Sequence, residues 1–430
     1  MATGEERTVA PPRGPLRGRL RVPGDKSIAH RALMFSALAG RGAVHALPDG
    51  DDVAATIRVL SALGAEIRRE GSSCTVRGPL RAAEGPLFCG DSGTTMRLMA
   101  GVLCAAGIEG TLTADEGLSK RPMERIAAPL RRMGARVETT DGHAPVTVLP
   151  AALRGIEHRS DVASAQVKSC LLLAGLRAQG RTAVLEPARS RDHTERLLAA
   201  MGVRLEVGPT SVALEGGQAL SPVSVDVPGD LSSAAFPIAA ALLVPGSEVE
   251  IEGVGLNPTR TGFLEALDAM GADIEVAVEG SSGGEPFGRI VARGGRELLP
   301  LEAAGEMVVR AIDELPALFA LAAFAGGRSS FRDAHELRKK ESDRIAAMAR
   351  GLRALGVACD ELEDGLAVHG APGRVLEAAT VAGANDHRIV MALACAALRA
   401  PGGARIEGAQ AIRKSYPGFF EDLERLGGHP

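Results

Sequence analysis

Apolar residues recur along this chain in two alternating patterns. One is a nearly continuous run, at Ile28–Leu38, Met96–Ala106, Val167–Ala174, Ala234–Leu243, Leu315–Ala325 and Ile389–Leu398. These runs predict helices buried on every side. The other pattern is a short phrase of Leu, two variable residues, Leu or Met, then Gly. It occurs at Leu60–Gly64, Leu130–Gly134, Leu198–Gly202, Leu267–Gly271, Leu352–Gly356 and Leu423–Gly427. Two apolar residues three apart share one helical face, and Gly just past the last turn takes the left-handed conformation without a Cβ clash. The phrase therefore predicts the end of an amphipathic helix. After the first five glycines Ala or Val follows, and apolar/polar alternation begins, as in Ala135-Arg136-Val137-Glu138 and Ala272-Asp273-Ile274-Glu275-Val276. The glycines return roughly every 70 residues, which marks an internal repeat.

A second mark keeps the same rhythm. Asp25, Asp91, Asp161, Asp230, Asp313 and Asp386 each stand ahead of one apolar run. An Asp there can accept the free N–H groups of a helix's first turn, so all six are expected to cap helices. Each unit then reads as capped buried helix, strand, amphipathic helix, Gly, strand, strand. The two halves echo each other: Pro23-Gly24-Asp25-Lys26-Ser27 returns three units later as Pro228-Gly229-Asp230-Leu231-Ser232. The expectation is two related domains. Domain I takes residues 14–23 and 229–430, holding both termini, domain II takes residues 24–228, and residues 1–13 form a flexible, polar N-terminal tail. The Pro-Gly pairs are the candidate crossovers and hinges. A chain of this length suits two cores, and a cleft between two domains is the default place for a small ligand.

Charge and composition narrow the function. The net charge of −4 argues against general nucleic-acid or membrane-surface binding, and one Tyr with no Trp disfavours stacking on bases. No apolar run is long enough to span a bilayer. The first dozen residues lack the apolar core of a signal peptide. The six cysteines show no C-x-x-C pair or zinc spacing, so buried free thiols in a reducing cytoplasm are expected.

Positive charge is concentrated beside helix starts. Lys26 and Arg31 follow Pro-Gly-Asp; Lys120, Arg121 and Arg125 surround Pro122; Arg191 opens Arg-Asp-His-Thr-Glu195; Arg338, Lys339, Lys340 and Arg344 surround Glu341; Arg388 follows Asp386-His387; Arg413 and Lys414 lie near the end. A net-negative chain with cations so placed is suited to small polyanions, because helix N-termini and Arg forks both favour phosphate and carboxylate. Gly90-Asp-Ser-Gly-Thr-Thr95 suits an anion cradle or an ordinary cap, but lacks the Gly-Lys-Ser/Thr ending of a P-loop. His335-Glu336 is not H-E-x-x-H, since Lys339 takes the place of the second His.

Taken in order, these motifs resemble the 5-enolpyruvylshikimate-3-phosphate (EPSP) synthase family. The resemblance rests on Pro-Gly-Asp-Lys26-Ser27-Ile-Ala-His-Arg31, Gly90-Asp-Ser-Gly-Thr-Thr-Met-Arg97, Lys120-Arg121-Pro122-Met123, Arg191-Asp-His-Thr-Glu195, Ile312-Asp-Glu-Leu-Pro316, Lys340-Glu-Ser-Asp-Arg344 and Asp386-His-Arg388. It runs from about Pro23 to Pro417 and looks most like the family's divergent bacterial branch. It implies an α+β fold of two domains, each of three βαβαββ units in an inverse-barrel-like arrangement. It also implies a monomeric cytoplasmic transferase of aromatic amino-acid biosynthesis, needing no cofactor or metal. Its substrates would be phosphoenolpyruvate and shikimate 3-phosphate, with neither nucleic acid nor membrane as partner.

The resemblance further implies residue roles. Lys26, Ser27, Arg31, Ser164, Gln166, Arg191, Asp313 and Lys340 would meet shikimate 3-phosphate. Lys26, Gly93, Arg121, Gln166, Arg344, Arg388 and Lys414 would meet phosphoenolpyruvate. Asp313, Glu341 and Lys26 would carry proton transfer. The chain departs from the commoner family pattern at several places: Asp91 replaces Asn, Ala165 replaces Ser, His193 replaces Tyr and Glu336 replaces Asn. Gly93 stands where insensitive enzymes of the divergent branch carry Ala, so glyphosate is expected to compete with phosphoenolpyruvate. Three alternatives are a UDP-N-acetylglucosamine enolpyruvyl transferase, an RNA-end-processing enzyme built from the same repeat, and a non-catalytic anion-binding scaffold. The first typically carries a Cys in the loop leading to Arg-Pro, and no Cys lies between Ala105 and Ser169 here.

Overall fold

The computed structural model of the chain describes residues 5–427. Contacts divide it into two compact units. The terminal unit comprises the chain up to Pro23, Gly229–Gly280 and the chain from Pro286; the central unit comprises Gly24–Pro228 with Ser281–Glu285. Each unit has its own apolar core.

Five four-stranded sheets and one three-stranded sheet, three sheets in each unit, give the α+β architecture of six repeats among the described residues. In the third sheet of the central unit, Glu157–Arg159 runs parallel to Arg181–Leu185. That strand pairs antiparallel with Ser211–Glu215, which in turn pairs with Leu205–Val207 at the edge. The leading strands of two sheets explain the Pro-Gly pairs. Arg17–Leu20 pairs parallel with Glu248–Gly255 in the terminal unit, yet the next helix, Lys26–Leu38, belongs to the central unit. Conversely, Ser224–Asp226 pairs parallel with Arg41–His45 in the central unit, and the next helix, Leu231–Leu243, belongs to the terminal unit. Each Pro-Gly pair therefore lies where the chain leaves one unit's sheet for the other unit's helix.

The sixth sheet corrects the expected N-terminal tail. Ala379–Ala382 runs parallel to Ala404–Glu407, and the strand antiparallel to the latter is Glu6–Val9. Its polarity is that of a charge-paired edge: Arg7 meets Glu424 at 2.6 Å, Arg413 meets Glu5 at 2.9 Å, and Arg405 pairs with Glu6. Residues 1–4 of that expected tail lie outside the described residues. The wide interval from Gly271 to Gly356 also has a structural source. The fourth repeat contains a long hairpin of Asp273–Ser282 and Glu285–Arg293, whose tip groups with the central unit.

The glycine phrase ends helices by one hydrogen-bonding device. Gly64, Gly134, Gly202, Gly271 and Gly356 have φ of +87°, +93°, +88°, +66° and +81°. The residue after each donates its N–H to the carbonyl of the phrase's first Leu: Ala65 to Leu60 at 3.0 Å, Ala135 to Leu130 at 3.0 Å, Val203 to Leu198 at 2.9 Å, Ala272 to Leu267 at 3.0 Å and Val357 to Leu352 at 2.9 Å. This is the Schellman arrangement, in which the two ends of that bond also make the apolar contact. The requirement for Leu, Gly and Ala or Val is thus local. Gly427 follows the last outer helix without a positive φ.

The apolar runs form inner helices with little exposed surface. Helices Gly93–Ala106 and Ala165–Gly175 approach so closely that a Cβ on Gly101 would lie 2.4 Å from the carbonyl oxygen of Cys170. The expected Asp caps hold for only half of the inner helices. Asp25, Asp230 and Asp386 cap theirs. Before Gly93–Ala106 and Ala165–Gly175 the caps are Ser92 and Ser164, whose hydroxyls accept from the amides three residues on. Glu314 precedes Leu315–Ala322 without a side-chain cap bond, and the Asp313 side chain turns to Lys340 and Arg344 instead.

Candidate active site

In the central unit, three inner-helix starts carry the expected ligands. Lys26 opens the first, and its Nζ lies 2.8 Å from Asp52 Oδ2. Beneath it runs a buried polar chain. His30 Nδ1 meets Thr56 Oγ1 at 2.6 Å, Thr56 meets Thr95 Oγ1 at 2.7 Å, and Thr95 Oγ1 meets Ser92 Oγ at 2.8 Å. The Lys26 helix is thereby tied to the cap of the Gly93 helix. Burial lowers the His30 pKa to about 3, with Asp52 opposing and Lys26 and Arg31 reinforcing the shift.

A Cβ on Gly93 would lie 3.3 Å from Arg97 Nη1 and 3.6 Å from Arg121 Nη1. Only a hydrogen at this position leaves the space beside both guanidinium groups free. Arg97 donates to Gln166 Oε1 at 2.6 Å, and Gln166 Nε2 donates to Thr94 Oγ1 at 2.9 Å, so both ends of this amide are held. Arg121 Nη2 is 3.7 Å from Asp91 Oδ1, so the departure from Asn places a carboxylate beside this cation.

Arg31 is buried. Its Nε donates to Thr194 Oγ1 at 2.8 Å, Nη1 to the Ser27 carbonyl at 2.8 Å and Nη2 to Ser169 Oγ at 2.7 Å. Burial lowers its pKa to about 10, against the opposing pull of Glu195 and Asp25. Ser164 caps the third helix, and its N–H donates to Glu186 Oε1 at 3.0 Å. Arg191 is half-buried beside Asp192, which itself holds Arg189 at 3.0 Å and Arg196 at 2.8 Å. His193 Nδ1 meets Glu285 Oε1 of the hairpin tip at 2.8 Å.

In the terminal unit, all six expected residues join one cluster of ion pairs. Arg344, 1 % exposed, is its hub: Nε lies 2.8 Å from Asp386 Oδ2, Nη1 3.1 Å from Asp313 Oδ1 and Nη2 2.6 Å from Glu341 Oε2. Burial opposes charge on this guanidinium, but Asp386, Glu341 and Asp313 outweigh it and raise its pKa above that of ordinary Arg. Lys340 Nζ is 3.4 Å from Asp313 Oδ1. Arg388 Nη1 donates to the Asp313 carbonyl at 3.0 Å, and Lys414 Nζ is 3.8 Å from Glu341 Oε1. Four cations thus surround three carboxylates. Arg338 stands apart from this cluster, committed to Asp343, Glu361 and the carbonyls of Leu362 and Glu363.

Sequence reading assigned no part to Asp52, Arg97 or Lys168. Lys168 gave a usable signal, as a lone charge inside the apolar run Val167–Ala174. Arg97 likewise is the lone charged residue of its helix. Asp52 carried no signal, being one of two acidic residues in a helix's first turn, where ordinary dipole pairing is common. Among the described residues, no group of three or more His, Cys, Asp or Glu could hold a metal ion. Among the described residues, no helix is long and apolar enough to cross a membrane.

A repeated fold with clustered cations and carboxylates defines the class first. The enolpyruvyl transferase NikO from Streptomyces tendae superposes with a TM-score of 0.79 at 22% identity, covering 99% of this chain and 98% of that one, and so shares the fold. The EPSP synthase of Acinetobacter baumannii reaches a TM-score of 0.90 at 41% identity, covering 99% of this chain and 98% of that one. A family model for EPSP synthase (3-phosphoshikimate 1-carboxyvinyltransferase) matches residues 11–423. The 3-phosphoshikimate 1-carboxyvinyltransferase of Halorhodospira halophila is 49% identical over 432 residues, covering 99% of this chain and 96% of that protein. This chain belongs to the EPSP synthase family. It is an enzyme that transfers the enolpyruvyl group of phosphoenolpyruvate to shikimate 3-phosphate in aromatic amino-acid biosynthesis. The alternative of a UDP-N-acetylglucosamine enolpyruvyl transferase is not favoured.

Proposed function

We propose that both residue clusters contribute ligands to each substrate. Lys26, Ser27, Arg31, Ser164, Gln166 and Arg191 of the central unit, with Asp313 and Lys340 of the terminal unit, receive shikimate 3-phosphate. Lys26, Gly93, Arg121 and Gln166, with Arg344, Arg388 and Lys414, receive phosphoenolpyruvate. The 5-hydroxyl adds to C2 of phosphoenolpyruvate while C3 takes a proton. The tetrahedral ketal then loses a C3 proton and expels phosphate. Asp313 accepts the hydroxyl proton, Glu341 gives and retakes the C3 proton, and Lys26 assists the departing phosphate. No covalent enzyme intermediate is invoked. Orientation and fixed positive charge supply much of the rate, because donors held in place need no reorganisation as charge develops.

The observation that carries this reading is the terminal cluster. Asp313 and Glu341 are both fastened to Arg344, and each also faces a lysine, Lys340 and Lys414 respectively. Two carboxylates are thereby fixed on one rigid cation: Lys340 and Arg344 share Asp313 Oδ1, whereas Arg344 holds Glu341 Oε2 and Lys414 faces its Oε1. Arg344 and Arg31 serve from buried positions bonded to protein groups, so each orients its neighbours as well as presenting charge. The enzyme acts as a monomer in the cytoplasm, a compartment suited to its six unpaired, buried cysteines.

Phosphate release from shikimate 3-phosphate and phosphoenolpyruvate tests the assignment. Lys26→Ala is expected to slow release at least about tenfold, a loss of roughly 1.4 kcal/mol in transition-state stabilisation. An unchanged rate in the folded variant would remove Lys26 from the site. Glyphosate is expected to compete with phosphoenolpyruvate. Gly93→Ala is expected to raise the inhibition constant, because the added methyl enters the space beside Arg121 Nη1, 3.6 Å away. Inhibition that is non-competitive, or equal in wild type and variant, would refute that placement.

A further inference from the structure

Inside the central unit lies a buried charge cluster that the proposed chemistry does not use. Lys168, on helix Ala165–Gly175, is 3% exposed. Its Nζ lies 2.9 Å from Glu186 Oε2, 2.8 Å from Glu195 Oε1 and 3.3 Å from the Ser190 carbonyl oxygen. Burial disfavours its charge, but Glu195 and Glu186 outweigh that cost and hold its pKa above that of ordinary lysine. Glu186 works in two directions. Its Oε1 accepts from the N–H of Ser164 at 3.0 Å, and its Oε2 accepts from the N–H of Ser190 at 3.4 Å. One carboxylate therefore spans the cap of one helix and the turn that leads into Arg191. Glu195 anchors the same lysine from helix His193–Ala200, directly after that turn.

Stability alone is a weak reason for such a cluster. Removing three charged groups from water is costly, and well-packed apolar residues of similar volume often serve as well. The cluster's effect on geometry is specific, because three of its hydrogen bonds end on backbone groups of Ser164 and Ser190. We propose that Lys168, Glu186 and Glu195 are positioning residues for the phosphate of shikimate 3-phosphate: they fix the Ser164 cap and the Ser190–Arg191 turn in register with each other. This rests on the reading that Ser164 and Arg191 receive that phosphate. A dianion held by two separate segments needs both in place before it arrives, and loss of register weakens phosphate recognition more than recognition of the ring.

The test compares binding of shikimate 3-phosphate with binding of shikimate, which lacks the phosphate. Glu186→Gln keeps the side-chain shape but replaces one acceptor oxygen by a donor, so one of its partners loses its bond. The dissociation constant for shikimate 3-phosphate is expected to rise about tenfold, while that for shikimate, the KM for phosphoenolpyruvate and the melting temperature stay near wild type. Glu186→Asp, which keeps both acceptors, is expected to recover part of the loss. Lys168→Met combined with Glu186→Gln and Glu195→Gln removes the buried charge altogether, and is expected to fold yet show the same selective loss. Unchanged preference for the phosphorylated ligand in folded Glu186→Gln protein overturns the proposal. So does an equal loss for both ligands. Ser164→Ala and Arg191→Ala separate the two levels: if they bind shikimate 3-phosphate like wild type, the phosphate assignment fails. If they weaken it while Glu186→Gln does not, only the positioning role fails.

Discussion

Glu341→Gln is expected to lower kcat by about 10²–10⁴-fold, the usual value of a positioned proton-transfer group, or roughly 2.7–5.4 kcal/mol of barrier. The amide keeps the size of the carboxylate but cannot accept and return a proton at C3. The fold should survive, because Arg344 retains Asp386 at 2.8 Å and Asp313 at 3.1 Å. Substrate affinities should move little, since the loss falls in the transition state and not in binding. Phosphate release at saturating substrates measures kcat. Exchange of the C3 hydrogens of phosphoenolpyruvate with deuterated solvent reads the proton step directly. A variant with near-normal kcat, or with normal exchange and slow release, would move Glu341 out of the proton path.

The repeat was legible because its cause is local. A helix that ends in a Schellman bond needs an apolar residue, a glycine and a second apolar residue at fixed spacing, and five of the six phrases supply them. The caps were legible only in part, since a serine one or three residues beyond the aspartate can take the cap itself, as Ser92 and Ser164 do. Freed from capping, Asp313 is available to Lys340 and Arg344, which no window around residue 313 reveals. Glu6–Val9 escaped for a related reason. Its charges are matched by Glu424 and Arg405, and that of the adjoining Glu5 by Arg413, some 400 positions away, so a polar stretch that reads as loose is a paired strand.

The site divides along the same line. Cations at helix starts show in the sequence, because residue type and local position suffice to mark an anion-binding surface. Which of them are buried does not show. Arg31 and Arg344 look like Arg121 in their motifs, yet burial commits the first to Ser27, Ser169 and Thr194 and the second to three carboxylates. Lys168 and its two glutamates are invisible as a group, because their contacts join three separate segments. Long-range packing decides which charges face ligand and which hold the frame.

Acidification should destabilise the central unit through His30. This imidazole is fully buried, and its pKa in the folded chain is lowered to about 3 from an ordinary 6.5, chiefly by burial. Below pH 6.5 the unfolded chain takes up a proton that the folded chain refuses. The stabilisation present above 6.5 is therefore lost progressively as pH falls towards 3. At 1.36 kcal/mol per pH unit the loss is about 2 kcal/mol at pH 5 and about 4–5 kcal/mol near pH 3. His30→Gln keeps a polar group facing Thr56 without that titration. Carboxylates titrate in both proteins and cancel in the comparison. Denaturant unfolding of the central unit at pH 7.5, 6 and 5 should show wild type losing about 2 kcal/mol more than the variant across that range. Parallel losses would mean that His30 accepts its proton inside the fold, and that the chain from His30 through Thr56 and Thr95 to Ser92 opens before the unit unfolds.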